Sequence, residues 1–214
     1  MSLGGASCSD PKPRMPLFVD CREVDGDVKC PGDSGYSVIP VFGKTMRLRK
    51  DSPPIMLMGC LDELSNMANG IRLSLPKVGG IASIIIALSM QLNAYLVQGT
   101  QERLEKVKGV LAVLEAKVGE MCSGYSGPLG WAIARSPEGH ALDSIRVKLR
   151  ECGRVASSML DRWSQADNIV KVLNHADKVI AQSIYCMGSD VYSSVDDATK
   201  ALLKGVVEGW GGNS

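Results

Sequence analysis

A chain of 214 residues is long enough to bury one sizeable core. Its 24 Lys and Arg against 23 Asp and Glu leave a net charge of +1, which excludes the basic footprint of a nucleic-acid binder. Cysteines stand at 8, 21, 30, 60, 122, 152 and 186 and histidines only at 140 and 175. Without a Cys-x-x-Cys or a zinc-like His spacing, this pattern predicts no metal site and reduced, mostly structural thiols in a reducing, cytoplasmic setting.

The opening segment, Met1 to Pro16, is rich in Gly, Ser and Pro and lacks the basic-then-apolar layout of a secretory signal; acids from Asp10 to Asp27 argue against a transit peptide. Residues 1–50 carry no helical periodicity and read as an extended arm. At Ser52-Pro53-Pro54 a helix is predicted to start, since Pro is tolerated in a first turn; Leu57, Leu61, Leu64, Ala68 and Ile71 then recur at threes and fours until Pro76. The second helix, Ile81 to Val97, is apolar on most faces and therefore central. It belongs to a charge-free run, Val78 to Gln101, but Gly79-Gly80, Gln91, Asn93 and Gln98 make a bilayer a poor host for it. A buried core helix and a soluble chain are expected, with no membrane partner.

A third helix is predicted from Gln101 to Cys122, with Leu104, Val107, Leu111, Leu114, Val118 and Met121 inward. Residues 123–140, dense in Gly, Ser and Pro, form the main break. Leu142, Ile145, Leu149, Cys152, Ala156, Met159 and Trp163 mark the fourth helix, Gln165 to Met187 the fifth, and Asp196 to Trp210 a short sixth that stops at Gly211-Gly212. No segment alternates like a strand for more than a few residues. The expectation is an all-α, up-and-down bundle of five main helices (residues 51–214, with the short C-terminal helix) behind an extended N-terminal arm (residues 1–50).

Several residues carry possible chemistry. In "CPGDSGYSVIPVFGKT" (30–45), Gly43-Lys44-Thr45 imitates a Walker loop. However, the required earlier glycine is Val38, and no strand–loop–helix context surrounds it, so an ordinary turn is predicted. Gly32-Asp33-Ser34-Gly35 is by itself a surface turn whose backbone N–H groups, with the Ser34 and Ser37 hydroxyls, suit an anion. On the fourth helix Arg146, Arg150 and Arg154 stand four apart, one stripe beside the packed seam at Ile145 and Leu149. Such a stripe is either a solvated basic face or, being all arginine, a row of planar forks for a polyphosphate. Asp62, beside Leu61 and Leu64, is either a surface acid or the partner of a cation at a helix or subunit contact. Asn174 is either a satisfied core amide or a ligand contact.

In order, "GDSGYS", "RLRKDSPPIMLMGCLDELSNM", "SPEGHALDSIRVKLRECGR" and "NIVKVLNHADKVI" resemble the ATP:cob(I)alamin adenosyltransferase family of the trimeric five-helix type, over about residues 29–188. The block from Lys50-Asp51-Ser52-Pro53 to Gly59-Cys60-Leu61-Asp62-Glu63-Leu64 carries most of the likeness. The resemblance implies transfer of the 5′-deoxyadenosyl group of ATP to cob(I)alamin, with ATP, Mg2+ and the corrinoid bound between subunits of a homotrimer. It implies a triphosphate-binding arm at Gly32, Asp33, Gly35 and Ser37, with Lys50 reaching ATP. It further implies nucleotide contacts from Arg150, Arg154 and Asn174, an Arg146–Asp62 pair across the subunit boundary, and Trp131, with Leu129 and Ile133, as the apolar wall against the corrin. The sequence departs from the family's pattern at Glu151 (an arginine there), Gly153 (an acid), Ile133-Ala134-Arg135 (Pro-Gly-Gly), His175 (an arginine), Pro31 (a threonine) and Gly130, where the corrin-facing phenylalanine falls. Those departures keep open an alternative: a non-catalytic trimeric relative that binds nucleotide or corrinoid as carrier or sensor.

Overall fold

The structure is a computed structural model that describes residues 21–210; Cys8, the arm before residue 21 and the Gly211-Gly212 stop lie outside the described residues. Six helices carry it: α1 (Pro53–Ser74), α2 (Pro76–Gln98), α3 (Gln101–Met121), α4 (Pro137–Ser157), α5 (Ala166–Cys186) and α6 (Val195–Trp210). The five long helices pack in cyclic order α1, α2, α3, α5, α4 and back to α1, and α6 lies apart against the last strand. The fold is an all-α bundle, as the periodicity predicts.

Local chemistry sets the helix ends. Pro53 and Pro76 occupy first-turn positions of α1 and α2, where a missing N–H costs no intrahelical bond. Thr100 caps α3 by accepting from the Arg103 N–H at 3.3 Å, and Ser136 caps α4 by accepting from the Gly139 N–H at 3.0 Å. α4 ends at Ser157, one and a half turns before Trp163, the last residue of its apolar run. Short turns follow, such as Met159 N–H to the Ala156 carbonyl at 3.0 Å.

The core is one cluster of inward aliphatic positions: Leu57, Leu61 and Leu64 of α1, Ile85, Leu88 and Leu92 of α2, and Leu142, Ile145 and Leu149 of α4 are among its fully enclosed side chains. α2, the one described helix long and apolar enough to cross a membrane, packs between α1 and α3 and buries ten of its residues.

Strands are the main correction. The arm is built from two antiparallel hairpins, β1 (Arg22–Val24) with β2 (Asp27–Lys29) and β3 (Tyr36–Val41) with β4 (Lys44–Arg49), and a third ribbon pairs β5 (Trp131–Ala134) with β6 (Ser189–Tyr192). β3 and β4 are joined by Phe42-Gly43, with φ of 46° and 80°, the positive pair that lets a two-residue turn follow strand twist. Gly43-Lys44-Thr45 is therefore a hairpin corner, as predicted. The corner docks on the end of α2: the Phe42 N–H donates to the Leu96 carbonyl at 2.7 Å and the Gly43 N–H to the Val97 carbonyl at 2.8 Å. These carbonyls belong to the last helical turn, which has no intrahelical donors left. Gly99 makes the approach possible, because a Cβ there would stand 2.8 Å from the Phe42 Cα.

The cysteines correct a second expectation. Among the described residues three disulfides form, Cys21–Cys30, Cys60–Cys152 and Cys122–Cys186; the thiols are not reduced. Disulfides belong to oxidising surroundings, so the cytoplasmic expectation, which rested on free thiols, loses its support.

Candidate functional site

Two groups of predicted residues form, one on the arm and one between α4 and α5. On the arm, Pro31–Ser34 make a single 3-10 turn, locked where the Cys30 N–H donates to Asp33 Oδ2 at 2.7 Å. Gly35 follows at φ 77°, the left-handed geometry a glycine adopts without strain. Its carbonyl accepts from the Lys50 N–H at 2.9 Å, across the open end of the β3–β4 hairpin. The Lys50 ammonium lies over Gly32, 3.2 Å from where a Cβ would be. Gly32, Asp33, Gly35 and Lys50 are thus brought together by one hairpin. Beside them a cleft of about 370 Å³ is lined by Gly32, Ser34, Ser37 and Arg47, with the Arg47 guanidinium 3.9 Å above the Tyr36 ring. Arg47, opposite Val38 in the β3–β4 register, is a cation the motif reading missed, because that reading saw no strand there.

The α4 stripe divides into separate roles. Arg150 donates from Nε to Asp177 Oδ1 of α5 at 2.9 Å, with half of the guanidinium side chain still exposed. Asp177 is nearly buried, so it fixes the arginine while leaving the outer fork edge open. Asn174, one turn before Asp177, is exposed and so is not a core amide; its Oδ1 faces Gly153, 3.7 Å from a Cβ built there. Arg154 is exposed one turn beyond Arg150. Arg150, Arg154, Asn174 and Asp177 thereby share the α4–α5 face around Gly153, whose missing side chain leaves room between the two helices.

Arg146, by contrast, donates from Nε to Asp143 of its own helix at 2.6 Å. Asp62 accepts from Asn93 Nδ2 of α2 at 3.0 Å and lines a polar groove of about 530 Å³ with Asn66, Asn69 and Arg72. Within one chain the two do not pair. On α2, Asn93 Oδ1, beside Asp62, and Gln91 Oε1 are buried acceptors that meet no donor, and Met90 stands 63% exposed.

Glu151 has an answer the sequence reading did not find. Lys148, nearly buried on α4, donates to Glu63 of α1 and, at 2.9 Å, to Glu151. Burial pushes the Lys148 pKa down, but the hydrogen bonds to Glu63 and Glu151 outweigh it and hold it above the ordinary value. Glu151 is thus engaged by Lys148, which it shares with Glu63 on the α1 side. Arg135 pairs with Asp190 at 3.4 Å. His175 is taken up by Glu115 of α3.

Trp131 opens β5 opposite Tyr192 and is 59% exposed, with Leu129 at 80%. Gly130 cannot carry an aromatic: a Cβ there would stand 2.4 Å from the Tyr192 carbonyl oxygen, while its own carbonyl accepts from the Tyr185 hydroxyl at 2.6 Å. The apolar surface at this corner therefore belongs to Trp131 and Leu129. Ile133 lies half-buried within β5.

Fold and site together define a five-helix bundle with a glycine-bearing, cation-bearing arm and an arginine row on its fourth helix. No family model matches the chain, and no curated protein matches it. Solved structures do. A variant of the PduO-type ATP:corrinoid adenosyltransferase from Lactobacillus reuteri, complexed with cobalamin and ATP, superposes with a TM-score of 0.61 at 17% identity, over 76% of this chain and 94% of that one. A second variant with the same ligands gives 0.57 at 15%, over 77% and 97%. A third, complexed with ATP, gives 0.55 at 16%, over 76% and 97%. At such identity the likeness is one of fold.

Proposed function

We propose that this protein transfers the 5′-deoxyadenosyl group of ATP to cob(I)alamin, giving adenosylcobalamin and triphosphate, at sites between the subunits of a homotrimer. The observation that carries the reading is the α4–α5 face: Arg150 held by Asp177, with Arg154 and Asn174 beside it. That arrangement occurs on the fold whose solved neighbours are ATP:corrinoid adenosyltransferases.

In the reaction the cobalt lone pair forms the bond to C5′, and the C5′–O bond breaks with its electrons leaving on triphosphate. No side-chain nucleophile or general base is needed. What the protein must supply is positive charge where the leaving oxygens gain negative charge, and a dry apolar wall for the corrin. Lys50 and the Ser37 hydroxyl hold the triphosphate from the arm side, on the turn of Gly32, Asp33 and Gly35, whose Asp33 and Gly35 N–H groups donate to the Cys30 and Gly32 carbonyls. Arg150 and Arg154 hold it from α4, and Asn174 orients the nucleoside. Arg146 and Asp62 pair between neighbouring chains; the bare Met90 fits a face that a second chain covers. Trp131 supplies the corrin wall. Among the described residues no three His, Cys, Asp or Glu side chains converge, so Mg2+ fits here as an ion carried by the phosphates, the usual habit of that metal.

A second reading, a carrier or sensor that binds without transfer, draws on β5: Ile133 and Ala134 are strand residues paired with β6, where the family has a Pro-Gly-Gly. Calorimetric titration with ATP and Mg2+, followed by reduced cobalamin and the visible spectrum, separates the two. Heat from ATP that Arg150→Ala abolishes, with formation of adenosylcobalamin, is expected. ATP heat without product leaves the carrier reading; no heat from wild type retires both.

A further inference from the structure

Gly43-Lys44-Thr45, which the catalytic reading leaves unused, leads to a separate cleft. The β3–β4 corner faces the α4–α5 connection across a cavity of about 460 Å³, with Lys44 and Met46 on the hairpin side and Arg162, Trp163, Ser164 and Gln165 on the other. That volume lies in the range of small-molecule sites. None of the lining residues is acidic. The guanidinium of Arg162 lies 4.8 Å from the centre of the Trp163 ring, and among the described residues neither Lys44 nor Arg162 has a carboxylate partner. Some other exposed cations of the bundle are paired with an acid one turn away, as Lys106 with Glu102, Lys108 with Glu105 and Lys171 with Asp167. What sets Lys44 and Arg162 apart is that both line one cleft without an acid in its lining, next to an indole.

The walls are fixed by the fold. On one side the hairpin corner is held by its two hydrogen bonds to the end of α2. On the other, the start of α5 is anchored where Asn168 Nδ2 donates to the Tyr95 hydroxyl of α2 at 3.0 Å. Phe42 stacks edge-on against the same Tyr95, with ring centres 5.7 Å apart. Tyr95 thus touches both lips of the cleft. It is also remote from the arm turn: Gly35 and Lys50 stand at the open end of the hairpin and Lys44 at the corner, a strand length of roughly 17 Å apart.

We propose that this cleft is a second ligand site that takes a nucleoside monophosphate. The Arg162 fork and the Lys44 ammonium match one phosphate group. The Trp163 indole offers a face for the base, and the Ser164 hydroxyl and Gln165 amide offer polar contacts to ribose or base edge. A single pair of cations suits one phosphate better than three, which distinguishes this site from the arm.

The test titrates AMP, adenosine and inorganic phosphate separately into the full chain, by calorimetry and tryptophan emission. Wild type, Lys44→Ala, Arg162→Ala, Trp163→Phe and Arg150→Ala are compared. AMP is expected to bind and quench emission, at least tenfold more tightly than adenosine or phosphate alone. Lys44→Ala and Arg162→Ala should each weaken AMP at least tenfold, Trp163→Phe should abolish the quench, and Arg150→Ala should leave AMP affinity unchanged. Lys44→Gln and Arg162→Lys serve where an alanine shifts the melting temperature; the glutamine is expected to weaken AMP as alanine does, and the lysine to retain part of the affinity. Absence of AMP binding at millimolar concentration overturns the proposal, as does affinity lost in Arg150→Ala but kept in Lys44→Ala and Arg162→Ala.

Discussion

The bond between Cys60 and Cys152 ties α1 to α4 across a sequence separation of 92 residues. Closing a loop that long removes unfolded-state entropy equivalent to about 4–5 kcal/mol at room temperature. Replacing both cysteines with alanine also strips two buried sulfurs, since Cys60 is 6% and Cys152 0% exposed, for roughly another 1 kcal/mol of lost packing. The double variant Cys60→Ala/Cys152→Ala should therefore lose about 4–6 kcal/mol, a large share of the roughly 5–15 kcal/mol of a typical domain. Urea unfolding of the non-reduced proteins measures it. The midpoint should fall and the m-value should rise, because the uncrosslinked chain exposes more surface when unfolded. The leucine seam beside the bond, Leu57, Leu61 and Leu64 against Leu149, is untouched, so ATP heat in the cold, folded variant should persist. A loss below about 1 kcal/mol would refute the entropy argument, and alkylation of Cys60 and Cys152 in the native, non-reduced protein would refute the bond itself.

Three further substitutions probe other links. Lys148→Met should cost about 1–2 kcal/mol, below the roughly 3–5 of a fully buried broken pair, because Glu63 and Glu151 remain 69% and 49% exposed to water. The folded Lys148 pKa is raised above its unfolded value. The stability it adds is therefore complete below the ordinary lysine value of about 10.4 and is lost as pH rises through the folded value. Urea midpoints should show a gap between wild type and variant at about pH 7 that narrows near pH 11; a gap constant through the alkaline range contradicts this. Gly99→Ala should destabilise by about 1–3 kcal/mol, since its φ is 66° and its Cβ would meet the Phe42 backbone at 2.8 Å; an unchanged thermal midpoint would mean the hairpin is not docked there. Trp131→Ala should slow adenosyl transfer about tenfold or more while leaving the calorimetric affinity for ATP intact; equal losses in both would remove its role as the corrin wall.

The five long helices were legible because apolar residues recurred at threes and fours, and Pro53 marked the start of α1. Their ends were less so: α2 begins at Pro76 rather than at the expected Ile81, and α4 stops at Ser157, short of Trp163. The strands escaped for physical reasons. β3 holds Pro40 and is covered unevenly by the end of α2, so its side chains do not alternate in burial. Its corner puts Phe42 where an asparagine or aspartate usually stands. Asp25-Gly26, at φ 55° and 83°, did carry the ordinary hairpin signal. The Cys60–Cys152 and Cys122–Cys186 bonds were hidden because their partners are distant in sequence and meet only after helices pack: spacing that excludes zinc says nothing about which helix faces which.

The site was legible in its period and illegible in its compensation. Four-residue spacing was enough to place Arg146, Arg150 and Arg154 in one row, but the row's chemistry depends on what each fork meets, and that is tertiary. Arg150 meets Asp177 and Arg146 meets Asp143, so one is aimed along the α4–α5 face and the other is drawn back along its own helix. Glu151 read as a reversed charge is a loss; in the fold it is one of two carboxylates, with Glu63, that share Lys148. Lys148 sits one residue before Leu149 and three after Ile145, a position a periodic reading assigns to the edge of the core and a charge reading assigns to solvent. Only packing against Glu63 of α1 decides between them, and the α4–α5 face is left to Arg150, held by Asp177, and the exposed Arg154.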